Sequence, residues 1–333
     1  MATKKTSKKA PVKAKAKKTA AAKTETKTTV KRVVTESVAA KSERTKLDSK
    51  LPNNLINIVI AEIVGTFILT LAALFSASIL APFYVGLALM LIVMAIGGIS
   101  GAHINPAVTF GLWSMRKLKT VLVPFYWGAQ FLGAMAAVVL IGGMTEGGFS
   151  VRFDQFTNFS WSIFAIEMIG TAIFMFGLAA VLSRTNLKLA GRSVGIGMAL
   201  AIGLVVSSTL LSYVQSAVFV KHTKKTANSA QKTEEGAYKN YPREVHIGGA
   251  TLNPAVALAV TEKTDTQIQS SNPLTAENEK SYSRLSLEVI SATLIGAALG
   301  GNLFLLVNYR NKDEERTEEH TSELQSPSWI SYA

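Results

Sequence analysis

Two copies of one short stretch contain the residues whose types and spacing point to a specific chemistry. Residues 101–108 read Gly-Ala-His-Ile-Asn-Pro-Ala-Val, and residues 249–256 read Gly-Ala-Thr-Leu-Asn-Pro-Ala-Val. Asn is a favoured helix N-cap because its side-chain oxygen accepts a hydrogen bond from a free backbone N–H, and Pro is favoured at the first helical position. Each copy therefore predicts a helix start at which the Asn side-chain NH2 group is left to donate elsewhere.

The apolar run after each Asn-Pro is too short to cross a membrane. It covers residues 109–112 in the first copy and 257–260 in the second, whereas a membrane-spanning helix needs about 20 apolar residues. Each copy therefore predicts a half-helix. If both half-helices begin in the middle of a membrane, two positive dipole ends and two amide donors meet at one point. Such a site repels cations and accepts neutral solutes that form hydrogen bonds.

Six longer apolar segments surround these copies and predict membrane-spanning helices. Hydrophobic residues make up 48% of the 333 residues, and the mean hydropathy is +0.27. The six segments lie at about 54–80, 82–99, 120–144, 161–182, 191–213 and 285–309. The half-helices follow the second and the fifth of them. The predicted fold class is therefore an all-α membrane protein with six transmembrane helices and two re-entrant half-helices.

The apolar body is also an internal repeat. Residues 61–66, Ala-Glu-Ile-Val-Gly-Thr, return as residues 166–171, Ile-Glu-Met-Ile-Gly-Thr. Because each half has three spans, the second half enters the membrane from the opposite face, which makes the repeat inverted and places a site near the midplane. The second half is longer, since a polar insertion at about 215–246 separates its fifth span from its half-helix. We expect this insertion to be extracellular.

The chain ends differ from the body in charge. The first 53 residues hold 16 of the 35 Lys and Arg but only 4 of the 22 Asp and Glu. Residues 1–50 predict a disordered cytoplasmic tail, since their composition buries too little apolar surface to offset the entropy of ordering. The positive-inside rule places both termini in the cytoplasm. This basic tail is expected to set topology or to contact anionic lipid headgroups, and nucleic-acid binding is disfavoured because no aromatic or Gly-rich recognition pattern accompanies it.

Two further observations limit what the chain can be. There is no cysteine, which excludes disulfides, thiolate metal sites and a cysteine nucleophile. The apolar body also offers no pairing of nucleophile and base, so neither an enzyme nor a cofactor or metal site is predicted. At the C-terminus, residues 318–326 resemble a translated sequencing adapter, so we expect the tail 311–333 to contain an assembly artefact that should be left out of fold reasoning.

The doubled Asn-Pro-Ala boxes, the Ser-Gly-Ala-His before the first box and the Ala-Glu with Gly-Thr in the first helix resemble the major intrinsic proteins, the aquaporins and glycerol facilitators. The resemblance covers roughly residues 54–309 and defines a channel domain at 51–310. It implies an aquaporin-like right-handed bundle with a pore in each protomer, assembled as a homotetramer in the cell membrane. The pore boxes are then Asn105, Pro106, Ala107, Asn253, Pro254 and Ala255.

The resemblance also implies roles for residues around the boxes. Glu62 and Glu167 would be structural acids that lie inside the bundle and bind re-entrant backbone, as intramembrane carboxylates generally face inward and find partners. The alternative is that each is an interfacial Glu near a helix end. His103 would lie in the cytoplasmic vestibule, and the resemblance assigns pore carbonyls or vestibule positions to Gly101, Ala102, Gly249 and Thr251.

The chain departs from the family pattern at the outer constriction. Most members have an arginine directly after the second Asn-Pro-Ala, where this chain has Val256. The family pattern places the other constriction positions on Val85, Leu204 and Ala250, and none of these is aromatic or polar. Glycerol facilitators usually have Asp at the next position, where Ala257 stands. The constriction is therefore predicted to be apolar and wider than in a strict water channel.

These features predict a passive channel for water and small uncharged solutes such as glycerol. A water-selective aquaporin is the alternative. Secondary transporters also use inverted repeats and discontinuous helices, but no unpaired carboxylate or coupling-ion site is visible near the half-helices. An ion channel would need a ring of charges or filter carbonyls, and the sequence shows neither.

Overall fold

The structure is a computed structural model, and it describes residues 51–76, 79–144, 158–228, 241–264, 267–268 and 282–309. The predicted disordered tail at 1–50, the centre of the 215–246 insertion and the C-terminal tail lie outside the described residues. The predictions of disorder, lipid contact and an assembly artefact therefore stay predictions.

The described chain is helical, with only an isolated β-bridge between Thr261 and Ser283. A 3-10 turn, Thr120–Leu122, precedes the fourth helix, and another, Arg243–His246, lies before the second re-entrant segment. In chain order the helices are α1 Leu55–Leu74, α2 Ala81–Ser100, α3 Pro106–Ser114, α4 Val123–Met144, α5 Trp161–Leu182, α6 Leu189–Asn228, α7 Pro254–Ala259 and α8 Leu287–Val307.

Six of these helices are long and apolar enough to cross a membrane, and α3 and α7 are the two half-helices. The fold class predicted from the sequence is therefore confirmed. Large apolar side chains cover the outer surface of the bundle, among them Ile56, Leu91 and Leu132 with 74%, 61% and 61% of their surface exposed. Such a surface is stable only against lipid or another apolar surface. The chain is a multi-pass membrane protein.

Two predicted segment ends differ from the structure. The first segment was predicted to reach Leu80, but α1 ends at Leu74 and α2 begins at Ala81 with Pro82 in its first turn, where proline favours a new helix. The fifth segment was predicted to end at Tyr213, but α6 continues to Asn228. The residues after Tyr213 remain largely apolar up to Val220, and none of the residues from there to Asn228 is a Gly or Pro that would stop the helix. The insertion therefore begins as a continuation of α6.

Glycines allow the two halves to pack in matching ways. A Cβ atom at Gly133 of α4 would meet the carbonyl oxygen of Ile63 in α1, and a Cβ atom at Gly300 of α8 would meet that of Ala172 in α5. The α1–α4 pair of the first half thus corresponds to the α5–α8 pair of the second. Small residues that let backbones approach closely are typical of helix contacts in membranes.

We expect Gly300→Ala to lower the free energy of unfolding by about 1–3 kcal/mol, because the added methyl group overlaps the backbone of Ala172. The measurement is thermal unfolding of the purified protein in detergent. Gly128→Ala in α4 is the matched control, because a Cβ atom there meets nothing within 4 Å, and it should change stability by less than about 0.5 kcal/mol. Equal effects of the two variants would contradict the close α5–α8 contact.

Candidate functional site

Each half-helix begins at the Asn of its Asn-Pro-Ala box. Asn105 caps α3, and its side-chain oxygen accepts a hydrogen bond from the N–H of Ala107 at 2.8 Å. Asn253 caps α7 and accepts from Ala255 at 3.0 Å and from Val256 at 3.4 Å. A proline stands in the first turn of both helices. The two helix starts therefore have the same local structure, and the repeat is visible in the caps.

The two Asn side chains also join the halves to each other. The amide of Asn105 donates to the carbonyl oxygen of Leu252 at 2.8 Å, and the amide of Asn253 donates to that of Ile104 at 3.0 Å. Each half-helix start is thus bonded to the segment that leads into the other. An amide has two hydrogens, so each Asn uses one for this link and retains a second that can meet an acceptor in the adjoining cavity.

In the first half, Glu62 holds the re-entrant segment. It is fully buried in α1, and its carboxylate accepts hydrogen bonds from the backbone N–H groups of His103 at 2.9 Å and Ile104 at 2.6 Å. The Ser100 hydroxyl donates to it at 2.7 Å and the Gln130 amide at 2.8 Å. Uncharged donors therefore occupy this carboxylate at membrane depth.

In the second half, Glu167 has the corresponding place. It is fully buried in α5 and accepts from the backbone N–H groups of Thr251 at 3.1 Å and Leu252 at 2.9 Å. The Thr251 hydroxyl lies 3.3 Å from Oε1 of Glu167, the oxygen that also accepts from the Thr251 N–H group. The difference from the first half is the last donor, because the guanidinium of Arg284 donates to Oε1 at 3.1 Å.

These bonds hold backbone in unfavourable conformations. Ala102, Ile104 and Leu252 have positive φ angles of 49°, 41° and 52°, which side chains with a Cβ rarely adopt. Each such residue costs on the order of 1–3 kcal/mol and persists only where the surroundings over-determine it. The N–H groups of Ile104 and Leu252 both bind the buried carboxylates, so the glutamates fix the orientation of the neighbouring carbonyl groups.

A cavity of about 580 Å³ leads to the two Asn side chains from one end of the bundle. This outer cavity contains all four positions that the family pattern assigns to the constriction, Val85, Leu204, Ala250 and Val256. Asn105, Asn253, His103, Gly249 and Thr251 line it as well, whereas Gly101 and Ala102 do not.

On the wall of the outer cavity that α6 forms, the lining changes from apolar to hydroxyl side chains along the helix. Leu200, Leu204, Ser208 and Ser212 recur every four residues along α6 and line one wall, so they lie on one face of the helix. Among the described lining residues, Lys263 carries the only fixed charge, and its side chain is exposed.

A second cavity of about 70 Å³ lies beyond His103. His103 lines both cavities and is therefore located where they meet. Its buried ring stacks on Tyr126 at a centroid distance of 4.3 Å, and its Nδ1 atom lies 3.2 Å from the Thr109 hydroxyl. The small inner cavity is mostly apolar, with Leu112, Met115, Lys117, Leu118, Ala179, Leu182, Ser183, Phe304 and Leu305 as its other lining residues.

Further charged side chains lie near Arg284. Arg243 donates to Glu262 through two nitrogens at 3.0 Å and 2.9 Å, and it forms an ion pair with Glu288. His246 lies with its Nδ1 atom 2.8 Å from the carbonyl oxygen of Lys263. It does not line either cavity.

Sequence reasoning missed two polar partners of the buried acids, Gln130 and Arg284. Gln130 had a usable signal, because it is a polar residue in the middle of an apolar span and such residues usually face the interior. Arg284 precedes α8 at the edge of a polar stretch, where an arginine is ordinary. Arg284 and Glu167 are 117 residues apart in the sequence, and no local pattern indicates their contact.

Comparison with known proteins agrees with this geometry. A family model described as "Major intrinsic protein" matches residues 55–217. Aquaporin AqpM of Methanothermobacter marburgensis is 32% identical over 177 residues, which cover 42% of this chain and 72% of the relative. Aquaporin NIP2-3 of Zea mays is 35% identical over 150 residues, which cover 41% of this chain and 50% of the relative. The chain thus spans about half the length of this plant relative.

A solved structure was also found, the X-ray structure of the aquaglyceroporin from Plasmodium falciparum. It covers 76% of this chain and 95% of its own, with 18% sequence identity and a TM-score of 0.43. The family assignment is based on the sequence matches, which include most of the length of AqpM and the first of the two Asn-Pro-Ala boxes. The chain belongs to the major intrinsic protein family.

Proposed function

We propose that the protein is a passive transmembrane channel for water and small uncharged solutes such as glycerol. The observation that carries this proposal is the outer cavity, which ends at two helix-capping Asn side chains and passes between apolar residues at all four constriction positions. Several of its relatives are named aquaporins. No chemical step is involved, so the protein is not an enzyme in this proposal and needs no cofactor.

The polar groups of the path support selection for neutral solutes. Both Asn amides donate, and the non-helical residues 248–250 line the cavity, where we propose that their backbone carbonyl groups accept. A solute that both donates and accepts hydrogen bonds can replace its lost hydration there. Cations are disfavoured because the N-termini of α3 and α7, the positive ends of their dipoles, meet at this point.

The four constriction positions carry apolar side chains and no long side chain that donates hydrogen bonds, which supports a wide path. Val256 is 4% exposed and Leu204 is 6% exposed, and both line the cavity with Val85 and Ala250. An arginine at position 256 would occupy part of this space and contribute a charge. The proposed constriction is therefore wider and less selective than that of a water-selective aquaporin, which is the alternative function.

Secondary transport is less well supported. A coupled transporter needs a carboxylate or another group that can bind an ion and release it. Glu62 and Glu167, the two acids that hold the re-entrant segments, are each bonded to several donors. These carboxylates are therefore occupied by structural bonds.

The proposed assembly is a homotetramer in the cell membrane with one pore per protomer and both termini in the cytoplasm. Exposed apolar side chains such as Leu91 and Leu303 are available for contact with lipid or with a second protomer. The basic N-terminal tail is proposed to lie near anionic headgroups on the cytoplasmic face.

Proteoliposomes should shrink and then re-swell after a hyperosmotic shock with glycerol or urea, because both solutes are small and form hydrogen bonds. After a shock with sucrose they should shrink and remain small. Light scattering in a stopped-flow instrument measures both phases, with protein-free liposomes as the control. Fast shrinkage without re-swelling in glycerol would refute the wide constriction and support the water-selective alternative.

Val256→Arg should lower glycerol permeability by about tenfold or more while water still passes, because the new side chain enters the cavity at its apolar section; a tenfold change corresponds to about 1.4 kcal/mol. Val256→Leu is the matched control and adds bulk without charge or a hydrogen-bond donor. An unchanged solute range in Val256→Arg would show that the constriction lies elsewhere.

A further inference from the structure

The two buried glutamates differ in the charge of their partners. Glu62 is bonded to uncharged donors, and neighbouring helices supply two of them, the Ser100 hydroxyl of α2 and the Gln130 amide of α4. Glu167 has the corresponding position in the repeat, and there the neighbouring element supplies the guanidinium of Arg284. The second half of the channel therefore contains an arginine, but not at the position after the Asn-Pro-Ala box.

Arg284 lies behind the wall of the outer cavity. It is 2% exposed and does not line the cavity. Its Nη2 atom lies 3.1 Å from Oε1 of Glu167, and the backbone N–H of Thr251, which does line the cavity, donates to the same oxygen at 3.1 Å. One carboxylate oxygen thus connects the guanidinium to the cavity wall.

We propose that Arg284 is the counter-charge that keeps cations out of the outer half of the channel, in place of the arginine that is missing at position 256. This inference rests on the proposed channel function. Without Arg284, a negative charge on Glu167 would lie behind Thr251 without its ion-pair partner. A negative charge beside a narrow, low-dielectric path concentrates cations in it.

Other cations near the cavity do not have this role. Arg243 is engaged by Glu262 and Glu288, and Lys263 is exposed at the mouth, where solvent and salt screen its charge. Among the described residues, Arg284 is the cation within ion-pair distance of Glu167. Its Nε and Nη1 atoms have no hydrogen-bond partner there, which makes the ion pair its principal polar contact.

Because Arg284 lies outside the cavity lining, its charge can pair with Glu167 without narrowing the pore. An arginine at position 256 would project into the cavity, since Val256 lines it. From position 284 the guanidinium pairs with Glu167 without lining the cavity. Arg284 is therefore a positioning and charge-balancing residue that acts through Glu167 and touches no solute.

The test measures the ratio of potassium to water permeability in proteoliposomes that contain the full chain. Arg284→Gln retains a donor for Glu167, as Gln130 does for Glu62, but removes the charge. It should raise the ratio by about tenfold or more, the size expected for one uncompensated charge at an effective dielectric constant of about 20. Arg284→Lys retains the charge and should keep the wild-type ratio.

The decisive variant is the double substitution Glu167→Gln with Arg284→Gln, which removes both charges. It should return the ratio to within about threefold of wild type, because the charge balance is restored although two buried groups have changed. If Arg284 were only structural, the double variant would leak at least as much as the single one, and that result would overturn the proposal. An unchanged ratio in Arg284→Gln would overturn it as well.

The control is Lys224→Gln, which removes a positive charge from an exposed side chain on the extension of α6 and should leave the ratio unchanged. Elution as a single species in detergent shows which variants fold. Water permeability of the wild-type protein at the level of empty liposomes would refute the channel function itself. A water-permeable wild type whose potassium leak does not respond to the charge at position 284 would refute only the role of Arg284.

Discussion

The structure depends on the hydrogen bonds between two buried carboxylates and the backbone of the two re-entrant segments. At membrane depth no water is available for a free N–H group, and each unsatisfied group costs several kcal/mol. Glu62 and Glu167 satisfy two consecutive N–H groups each, and a hydrogen bond to a charged group contributes about 1.5–3 kcal/mol. Without them the segments would have to become helical or leave the membrane, and no carbonyl groups would face the cavity.

The short half-helices follow from the same constraint. An extended segment that enters the membrane, turns and continues as a helix must begin that helix with its own cap, which Asn105 and Asn253 provide. Their amides then bond across the repeat, from Asn105 to Leu252 and from Asn253 to Ile104. Because the donors and acceptors are exchanged between the halves, a shift of one half-helix would break the bonds of both. The site is thus formed by both halves together.

The sequence predicted the helices that have a local or repeated pattern. It did not predict the contacts between residues that are distant along the chain. Capping and apolar run length predicted the two half-helices, and hydropathy predicted six spans with errors only at their ends, of which the end at Tyr213 was the largest. The partners of the buried acids depend on how the helices pack, so no spacing in the sequence points from Glu167 to Arg284. The roles of the constriction residues stay predictions until permeability is measured.

The buried arginine of the second half costs desolvation free energy, which the neutral partner in the first half avoids. A buried ion pair seldom adds stability relative to apolar residues of the same size, because desolvation offsets its attraction. The first half holds its segment with the neutral Gln130, so a charged partner is not required for the backbone geometry. The second half nevertheless buries Arg284 beside Glu167, and it pairs the half-buried Arg243 with Glu262 and Glu288. The backbone geometry alone does not require these charges, and the proposed counter-charge role of Arg284 supplies a physical reason for its burial beside Glu167.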